Sequence, residues 1–342
     1  MMPSSSLPRF SVPAFPPLSP ATTAALVSAG LDPGALIELV RRAVAEDLAV
    51  GPAEAVGPAE AVGPAEAVDV TSVATVPPGL RGRGAIVARA HGVVAGLPVA
   101  AAVFETVLSA QGLDIDITAS DGDRVSPGDA VLTVAGPVRA LLTAERTALN
   151  LLCHLSGVAT ATRHWVDAVD GTGVSVRDTR KTLPGLRALE KYAVRCGGGV
   201  NHRMSLADAA LVKDNHVVAA GGVAAAFTAV RTRFPGLPVE VECDTPAQVA
   251  EAVTAGADLI LCDNMTTGEL RESVAIARPA GVKLEASGGL TLEVARSVAE
   301  TGVDYLAVGA LTHSAPALDL GLDLSLGLGS APSTSDRVEG TA

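Results

Sequence analysis

Two hydrophobic periods alternate along this chain. Leu36 to Leu48 repeats its apolar positions at helical spacing over a charged face, and Ala85 to Ala90 is a β-type run. His91-Gly92 reads as a turn and Pro98 to Leu108 as a helix, while Asp114-Ile115-Asp116-Ile117 alternates as a half-buried strand does. Val138 to Val169 is a long, mostly apolar helical stretch. From Gly173 onward the rhythm shortens. Apolar runs at Val174–Val176, Ala210–Val212, Pro238–Val241, Asp258–Leu261, Val282–Leu284 and Asp304–Val308 are separated by helical segments. Strands alternating with helices predict a parallel α/β sheet. The C-terminal ends of these runs carry Arg180/Lys181, Lys213, Glu242, Asp263, Glu285 to Gly289, and Gly309. Functional groups at every strand's C-terminal end favour a barrel over an open doubly wound sheet. About six runs are fewer than the roughly eight strands of a standard barrel, so the barrel is expected to be incomplete.

The predicted organisation follows. Residues 1–20 are rich in Pro and Ser and are expected to be disordered. An α+β sandwich domain spans 21–148, the barrel 149–315, a strand returning to the first domain 316–329, and a loose tail 330–342. Within the first domain GPAEAV occurs three times, Gly51 to Val68. These units are too short for a solenoid, and each Gly-Pro interrupts a helix, so the repeat reads as a mobile surface loop. Asp121 to Leu132 resembles a lipoyl- or biotinyl-type sandwich. Such carriers need a Lys at a hairpin tip, and this region has none, so a turn and strand of a substrate-covering domain is the better reading.

Composition narrows the picture. With 342 residues, 48% of them hydrophobic, the chain can build one large or two medium cores. Aromatics are 2% and glycines number 35, so packing must rest on Ala, Val and Leu and on close backbone approach. Cys153, Cys196, Cys243 and Cys262 have no metal spacing and no CxxC pair. Cys243 and Cys262 lie in apolar runs and read as buried small hydrophobes, which suits a reducing cytoplasm. The first residues lack a basic segment before an apolar core, so no secretory signal is read, and no run reaches the roughly 20 apolar residues of a membrane span.

The formal net charge is −12, yet one stretch is basic: Arg177, Arg180, Lys181, Arg187, Lys191, Arg195 and Arg203 all fall between Val176 and His216. A cationic pocket in an acidic protein suggests a small, strongly anionic ligand rather than nucleic acid. Arg offers bidentate carboxylate binding, whereas the four lysines (Lys181, Lys191, Lys213, Lys283) are compact point charges. Within the stretch a short helix is expected near Asp208. Glu242 and Asp263, on neighbouring strands, could hold Mg²⁺, accept from ribose hydroxyls, or form a glycosidase pair. The cations lining the same pocket suit a polyphosphate better than a neutral sugar. Ser287-Gly288-Gly289 and Gly309 lie in strand-to-helix turns, where glycine lets amides approach an anion. His91, His154 and His164 lack partners in sequence and are read as structural.

DTRKT (Asp178 to Thr182), GGGxNHR (Gly197 to Arg203) and LxKDNH (Leu211 to His216), in this order, resemble the quinolinate phosphoribosyltransferase family, over roughly Leu36 to Asp323. The resemblance implies an incomplete α/β barrel of the type II phosphoribosyltransferase kind. It implies phosphoribosyl transfer from phosphoribosyl pyrophosphate to quinolinate with decarboxylation, feeding NAD synthesis. Arg146, Arg180, His202, Arg203 and Lys213 would bind quinolinate, Arg146 reaching across a homodimer interface into the partner's site. Lys181, Lys213, Glu242, Asp263, Ser287, Gly288, Gly289 and Gly309 would bind phosphoribosyl pyrophosphate. Lys181, Glu242 and Asp263 would be catalytic, the two acids also holding Mg²⁺. Two rivals remain at this point: a Schiff-base aldolase using Lys181 or Lys213, and a catalytically silent barrel that binds nucleotide or a metal oxyanion.

Overall fold

A computed structural model describes residues 17–48, 69–108 and 112–326. The GPAEAV repeat, the loose tail and residues 1–16 of the expected disordered segment lie outside them. Order begins before residue 20: Leu18 is buried, and Ser19 caps the first helix, its amide and hydroxyl each donating to Glu105 at 2.8 Å.

The N-terminal unit is helix and antiparallel sheet. Helices α1 (Pro20–Ser28), α2 (Pro33–Asp47) and α3 (Val70–Thr75) precede strand β1 (Arg81–Ala88). Then come β2 (Gly92–Val93), α4 (Leu97–Leu108), β3 (Asp114–Ile117), β4 (Arg124–Val125) and β5 (Ala130–Pro137). β5 packs on an apolar α4, whose Ala100, Ala102, Val103 and Phe104 are fully or almost fully buried, and β1 packs on the long helix that follows β5. Asp121, expected in a turn, accepts from the Tyr192 hydroxyl and so joins this unit to the barrel.

One long helix, α5 (Val138–Ala168), passes from this unit into the next, so the expected boundary at 148/149 falls inside it. Its small residues permit the close approach foreseen from the scarcity of aromatics. At Gly157 any Cβ would collide with the Pro316 carbonyl, and at Gly197 with the Ala159 carbonyl of α5.

Beyond α5 the elements alternate: β6 (Ser175–Arg177), α6 (Arg187–Cys196), β7 (Ala210–Val212), α7 (Asp214–Ala220), α8 (Val223–Arg233), β8 (Val239–Cys243), α9 (Pro246–Thr254), β9 (Leu259–Asp263), α10 (Thr267–Ala277), β10 (Lys283–Ser287), α11 (Leu292–Ala299), β11 (Tyr305–Ala307) and α12 (Ala310–His313). Thr245 with Gln248 and Thr266 with Glu269 form reciprocal caps that start α9 and α10. The central strands β8, β9 and β10 are mostly buried, as a sheet covered by helices requires, while β6 and β7 at the open edges are less so. Cys243 and Cys262 sit opposite one another on β8 and β9; both are fully buried, and burial pushes each thiol up to about 12.

The six strands are all parallel, in the order β6-β11-β10-β9-β8-β7. The last strand therefore pairs with the first, and the ring is open between β6 and β7. That is the incomplete barrel. Finally β12 (Leu320–Ser325) runs back to pair antiparallel with β1, Ala88 opposite Leu320. The helix expected near Asp208 is not formed. The Asp208 carboxylate accepts the amides of Met204 (2.6 Å) and Ser205 (3.0 Å), which closes a compact turn instead.

Candidate active site

Parallel strands place all their C-terminal ends on one rim. Lys181 follows β6, Lys213 follows β7, Glu242 lies near the end of β8, Asp263 ends β9, Ser287 ends β10 and Gly309 follows β11. The open seam between β6 and β7 is bridged by residues 178–209, the basic stretch itself. Val200 pairs with Arg177 there, its amide donating to the Val176 carbonyl at 2.8 Å.

At one side of the rim charges of opposite sign meet. Lys213 Nζ donates to Glu242 Oε2 at 2.5 Å. The carboxyl of Asp263 is raised above its usual range by burial, then by the nearby charges of Glu242 and Asp244; Lys213 and Lys181 oppose the shift. Lys181, Lys213, Glu242 and Asp263 therefore share one electrostatic neighbourhood, with Asp244 beside them. Asp263 also accepts from the Asn264 side-chain amide at 2.7 Å. Asn264 holds a left-handed backbone (φ 54°), and its amide donates to the Ser287 carbonyl at 2.9 Å. Gly288, at φ +90°, lies so close to Asn264 that any Cβ would meet its side chain and its backbone nitrogen. Gly288 is thus fixed by close approach as well as by conformation, while Gly289 (φ +59°) opens into free space. At Gly309 the stem of Lys181, His313 Nε2 and Thr179 Oγ1 all lie within 3.1–3.4 Å of where a Cβ would stand. The glycine lets Lys181 lie across that turn. The Thr312 hydroxyl donates to the Lys181 carbonyl at 2.8 Å.

At the seam two guanidinium groups oppose one another. Arg203 is half-buried, and its pKa is lowered by burial and then by the charge of Arg180. The Nε atoms of both arginines are buried without a hydrogen-bond partner among the described residues. Arg203 keeps one tether, to the Ala209 carbonyl at 2.9 Å. Two half-buried, mutually repelling, under-bonded guanidinium groups are suited to a dianion, because each bidentate contact offsets both the desolvation and the repulsion.

His202 does not join them. It is buried, and the Arg203 amide donates to its Nδ1 at 2.7 Å. The proton is therefore assigned to Nε2, which points at Glu240 Oε2, 2.7 Å away, with Glu285 Oε1 at 3.7 Å. These three residues are close enough to surround a metal ion, but a protonated Nε2 has no lone pair to give. The carboxyl of Glu285 is instead pushed up to about 8 by burial and by Glu240, against the pull of Arg177. Glu242 and Asp263 offer a better donor set for a hard divalent ion: carboxylate oxygens at the rim, with more negative charge than their lysines and burial tolerate.

Arg146, on α5, is exposed, and its ion-pair partner within the chain is Glu145 at 4.0 Å. No hydrogen bond or ion pair among the described residues joins it to Arg180 or Arg203. His154 has a partner the sequence did not reveal, the fully buried Glu190 at 2.9 Å. His91 and His164 line a surface cavity of about 230 Å³ with Arg124 and Arg163, away from the residues of the rim.

Residues 69–156 match the model of the quinolinate phosphoribosyl transferase N-terminal domain, and residues 158–323 that of its C-terminal domain. The chain belongs to this family. The two models meet inside α5. Among quinolinate phosphoribosyltransferase relatives, the nicotinate-nucleotide pyrophosphorylase [carboxylating] of Mycobacterium leprae is 50% identical over 289 residues, 84% of this chain and 96% of that one. The human protein of that name is 42% identical over 245 residues, covering 70% and 81%. NadC from Streptococcus pyogenes superposes with a TM-score of 0.77 at 36% identity, covering 86% of this chain and 98% of the other.

Sequence reasoning did not single out Asn264, Thr179 or His313. Asn264 could have been found from the Asp263-Asn264 step before a glycine-poor turn, where only Asn or Asp tolerates a positive φ.

Proposed function

We propose that this chain transfers the phosphoribosyl group of phosphoribosyl pyrophosphate to quinolinate, releasing pyrophosphate and CO₂ and forming nicotinate mononucleotide. The observation that carries this reading is the pairing of Arg180 with Arg203 at the seam, beside the Lys181, Lys213, Glu242 and Asp263 set on the rim. One end suits a planar dicarboxylate; the other suits a sugar bearing phosphate and pyrophosphate.

Arg180 and Arg203 clamp the two carboxylates and set the ring nitrogen towards the anomeric carbon. The nitrogen attacks as the carbon–oxygen bond to pyrophosphate breaks. Lys181 and Lys213 offset the charge of the departing diphosphate, and Glu242 and Asp263 lie beside the developing oxocarbenium. The turns at Ser287-Gly288-Gly289 and Gly309 receive the 5′-phosphate through backbone amides. Ribosylation makes the ring nitrogen cationic. The bond from C2 to its carboxylate then breaks, its electrons stay on the ring, CO₂ leaves, and C2 takes up a proton. Glu242 and Asp263 would hold Mg²⁺, which supplies further positive charge for pyrophosphate.

His202 acts, in this reading, by supporting Arg203 from below rather than by touching the substrate. Arg146, solvent-facing on α5, completes the dicarboxylate site of a second copy in a homodimer. A reducing, cytoplasmic setting suits the four free cysteines; no single helix among the described residues is long and apolar enough to cross a membrane.

The discriminating experiment compares quinolinate with nicotinate, which lacks the 2-carboxylate. Nucleotide formed from quinolinate alone is the expected result. Equal use of nicotinate would contradict the dicarboxylate clamp, and a borohydride-trapped lysine adduct would favour the aldolase.

A further inference from the structure

Asp178 and Lys191 form an ion pair in which both side chains are fully buried. Neither belongs to the set that would touch substrate. Asp178 follows β6 and lies two residues before Arg180. Lys191 is in the middle of α6, and among the chain's four lysines it is the one withdrawn from solvent.

The pair is the centre of a closed network. Asp178 Oδ1 accepts from Lys191 Nζ and from the His202 amide, the latter at 2.8 Å. Asp178 Oδ2 accepts from Asn201 Nδ2 at 2.5 Å. Lys191 Nζ also donates to the His202 carbonyl, and Asn201 Nδ2 also donates to the Lys191 carbonyl, each at 2.9 Å. Three segments meet here: the end of β6 that leads to Arg180 and Lys181, the α6 helix, and the run that leads to Arg203. The second and third are not hydrogen-bonded strands of the sheet. Arg195 extends the network, donating to Asn201 Oδ1 at 2.7 Å and to the Ala29 carbonyl, after α1, at 2.6 Å.

The topology gives this network a task. Elsewhere in the ring, strand pairing fixes the spacing of neighbouring rim residues. β6 and β7 do not pair with one another; a single bridge, Arg177 with Val200, ties β6 to the segment that fills the gap, and Arg180 and Arg203 both stand on that segment, one before α6 and one after it. Their mutual repulsion acts to separate them. That one bridge lies three residues before each arginine, and nearer to them the arms are joined by a multiply bonded carboxylate two residues from Arg180 and in contact with the residue before Arg203. Burial lowers the pKa of Lys191 and the Asp178 charge opposes that shift, so the ammonium and the carboxylate depend on each other.

We propose that Asp178 and Lys191, with Asn201, are positioning residues that set the Arg180–Arg203 separation and thereby determine affinity for the dicarboxylate, not for phosphoribosyl pyrophosphate. The inference rests on the assignment of Arg180 and Arg203 to quinolinate. A positional error of about 1 Å at such a clamp costs on the order of a hundredfold, whereas a role in stability alone would leave affinity unchanged in whatever fraction folds.

The test uses the full chain with two variants, Asn201→Ala and the doubly neutral D178N/K191M, together with Arg203→Ala as reference. Melting temperature, KM for quinolinate and Kd for phosphoribosyl pyrophosphate are measured for each. The expected result is a quinolinate KM raised about tenfold or more in the double variant and by a smaller factor in Asn201→Ala. The phosphoribosyl pyrophosphate Kd stays within about twofold. If the double variant does not fold, Asn201→Ala, which leaves the ion pair in place, decides alone. An unchanged quinolinate KM in a folded variant, while Arg203→Ala loses quinolinate, overturns the positioning role. Equal weakening of both ligands overturns it too. Quinolinate binding intact in Arg203→Ala would instead overturn the clamp assignment beneath it.

Discussion

Arg180 lies close enough to Arg203 to lower the pKa of the second guanidinium, and neither Nε has a hydrogen-bond partner among the described residues. A protein keeps such a like-charged, partly buried pair only where something compensates, because each desolvated guanidinium otherwise costs free energy. A dicarboxylate compensates both. Arg180→Ala and Arg203→Ala should each lose about 1.5–3 kcal/mol of quinolinate binding, the range of a charge-assisted hydrogen bond. Calorimetric titration with quinolinate and, separately, with phosphoribosyl pyrophosphate checks this. Arg203→Lys should not rescue, since an ammonium cannot replace the bidentate fork.

Arg146 is exposed on α5, with Glu145 as its ion-pair partner among the described residues. If it serves a second copy, Arg146→Ala should lose quinolinate binding and keep phosphoribosyl pyrophosphate binding. Mixing Arg146→Ala with Lys181→Ala after reversible subunit exchange should restore activity, because the mixed dimer carries one intact site. Absence of restoration, with mixed dimers demonstrated, would contradict action in trans.

The six parallel strands and the residues at their C-terminal ends were legible in the sequence because parallel strands bury both faces and write themselves as short apolar runs ending in polar groups, whereas the place where the ring is open was not. The runs at Ala210–Val212 and Asp304–Val308 coincide with or enclose β7 and β11. Others began one residue early and ended one to three residues early, since Cys243, Asp263 and Ser287 are still strand though polar residues precede or occupy the end. What stayed hidden is long-range and polar. Nothing local joins Asp178 to Lys191 or His154 to Glu190, and a turn closed backwards by Asp208 has the composition of a helix start. His202 was placed among the substrate ligands by the family resemblance alone; its ring lies against Glu240, a partner that nothing local in the sequence reveals.

The two glycines of the β10 turn should respond differently to alanine. Gly288→Ala meets both a positive φ and the Asn264 backbone nitrogen, 2.8 Å from the added carbon, so it should cost about 1–3 kcal/mol of stability or displace Asn264 and Asp263. Gly289→Ala has open space and should cost only about 1 kcal/mol for its left-handed backbone. Thermal denaturation of both variants separates these effects.

Glu285 gives a pH dependence with a definite sign. Its carboxyl is pushed up to about 8 from an ordinary 4.5, so between these values the folded state binds a proton that the unfolded state has released. Stability therefore falls as pH rises through this window. Glu285→Gln, which cannot ionise, should remove that contribution, and its advantage over the parent should grow from pH 5 to pH 9 in urea titrations. A difference independent of pH would contradict a protonated Glu285.

The measurement that bears most directly on the account is turnover of purified protein with quinolinate, phosphoribosyl pyrophosphate and Mg²⁺, following nicotinate mononucleotide and CO₂ together. One CO₂ released for each nucleotide formed is the predicted result. Binding of both ligands without product, or nucleotide formed without CO₂, would contradict the assignment of this site to a decarboxylating phosphoribosyl transfer.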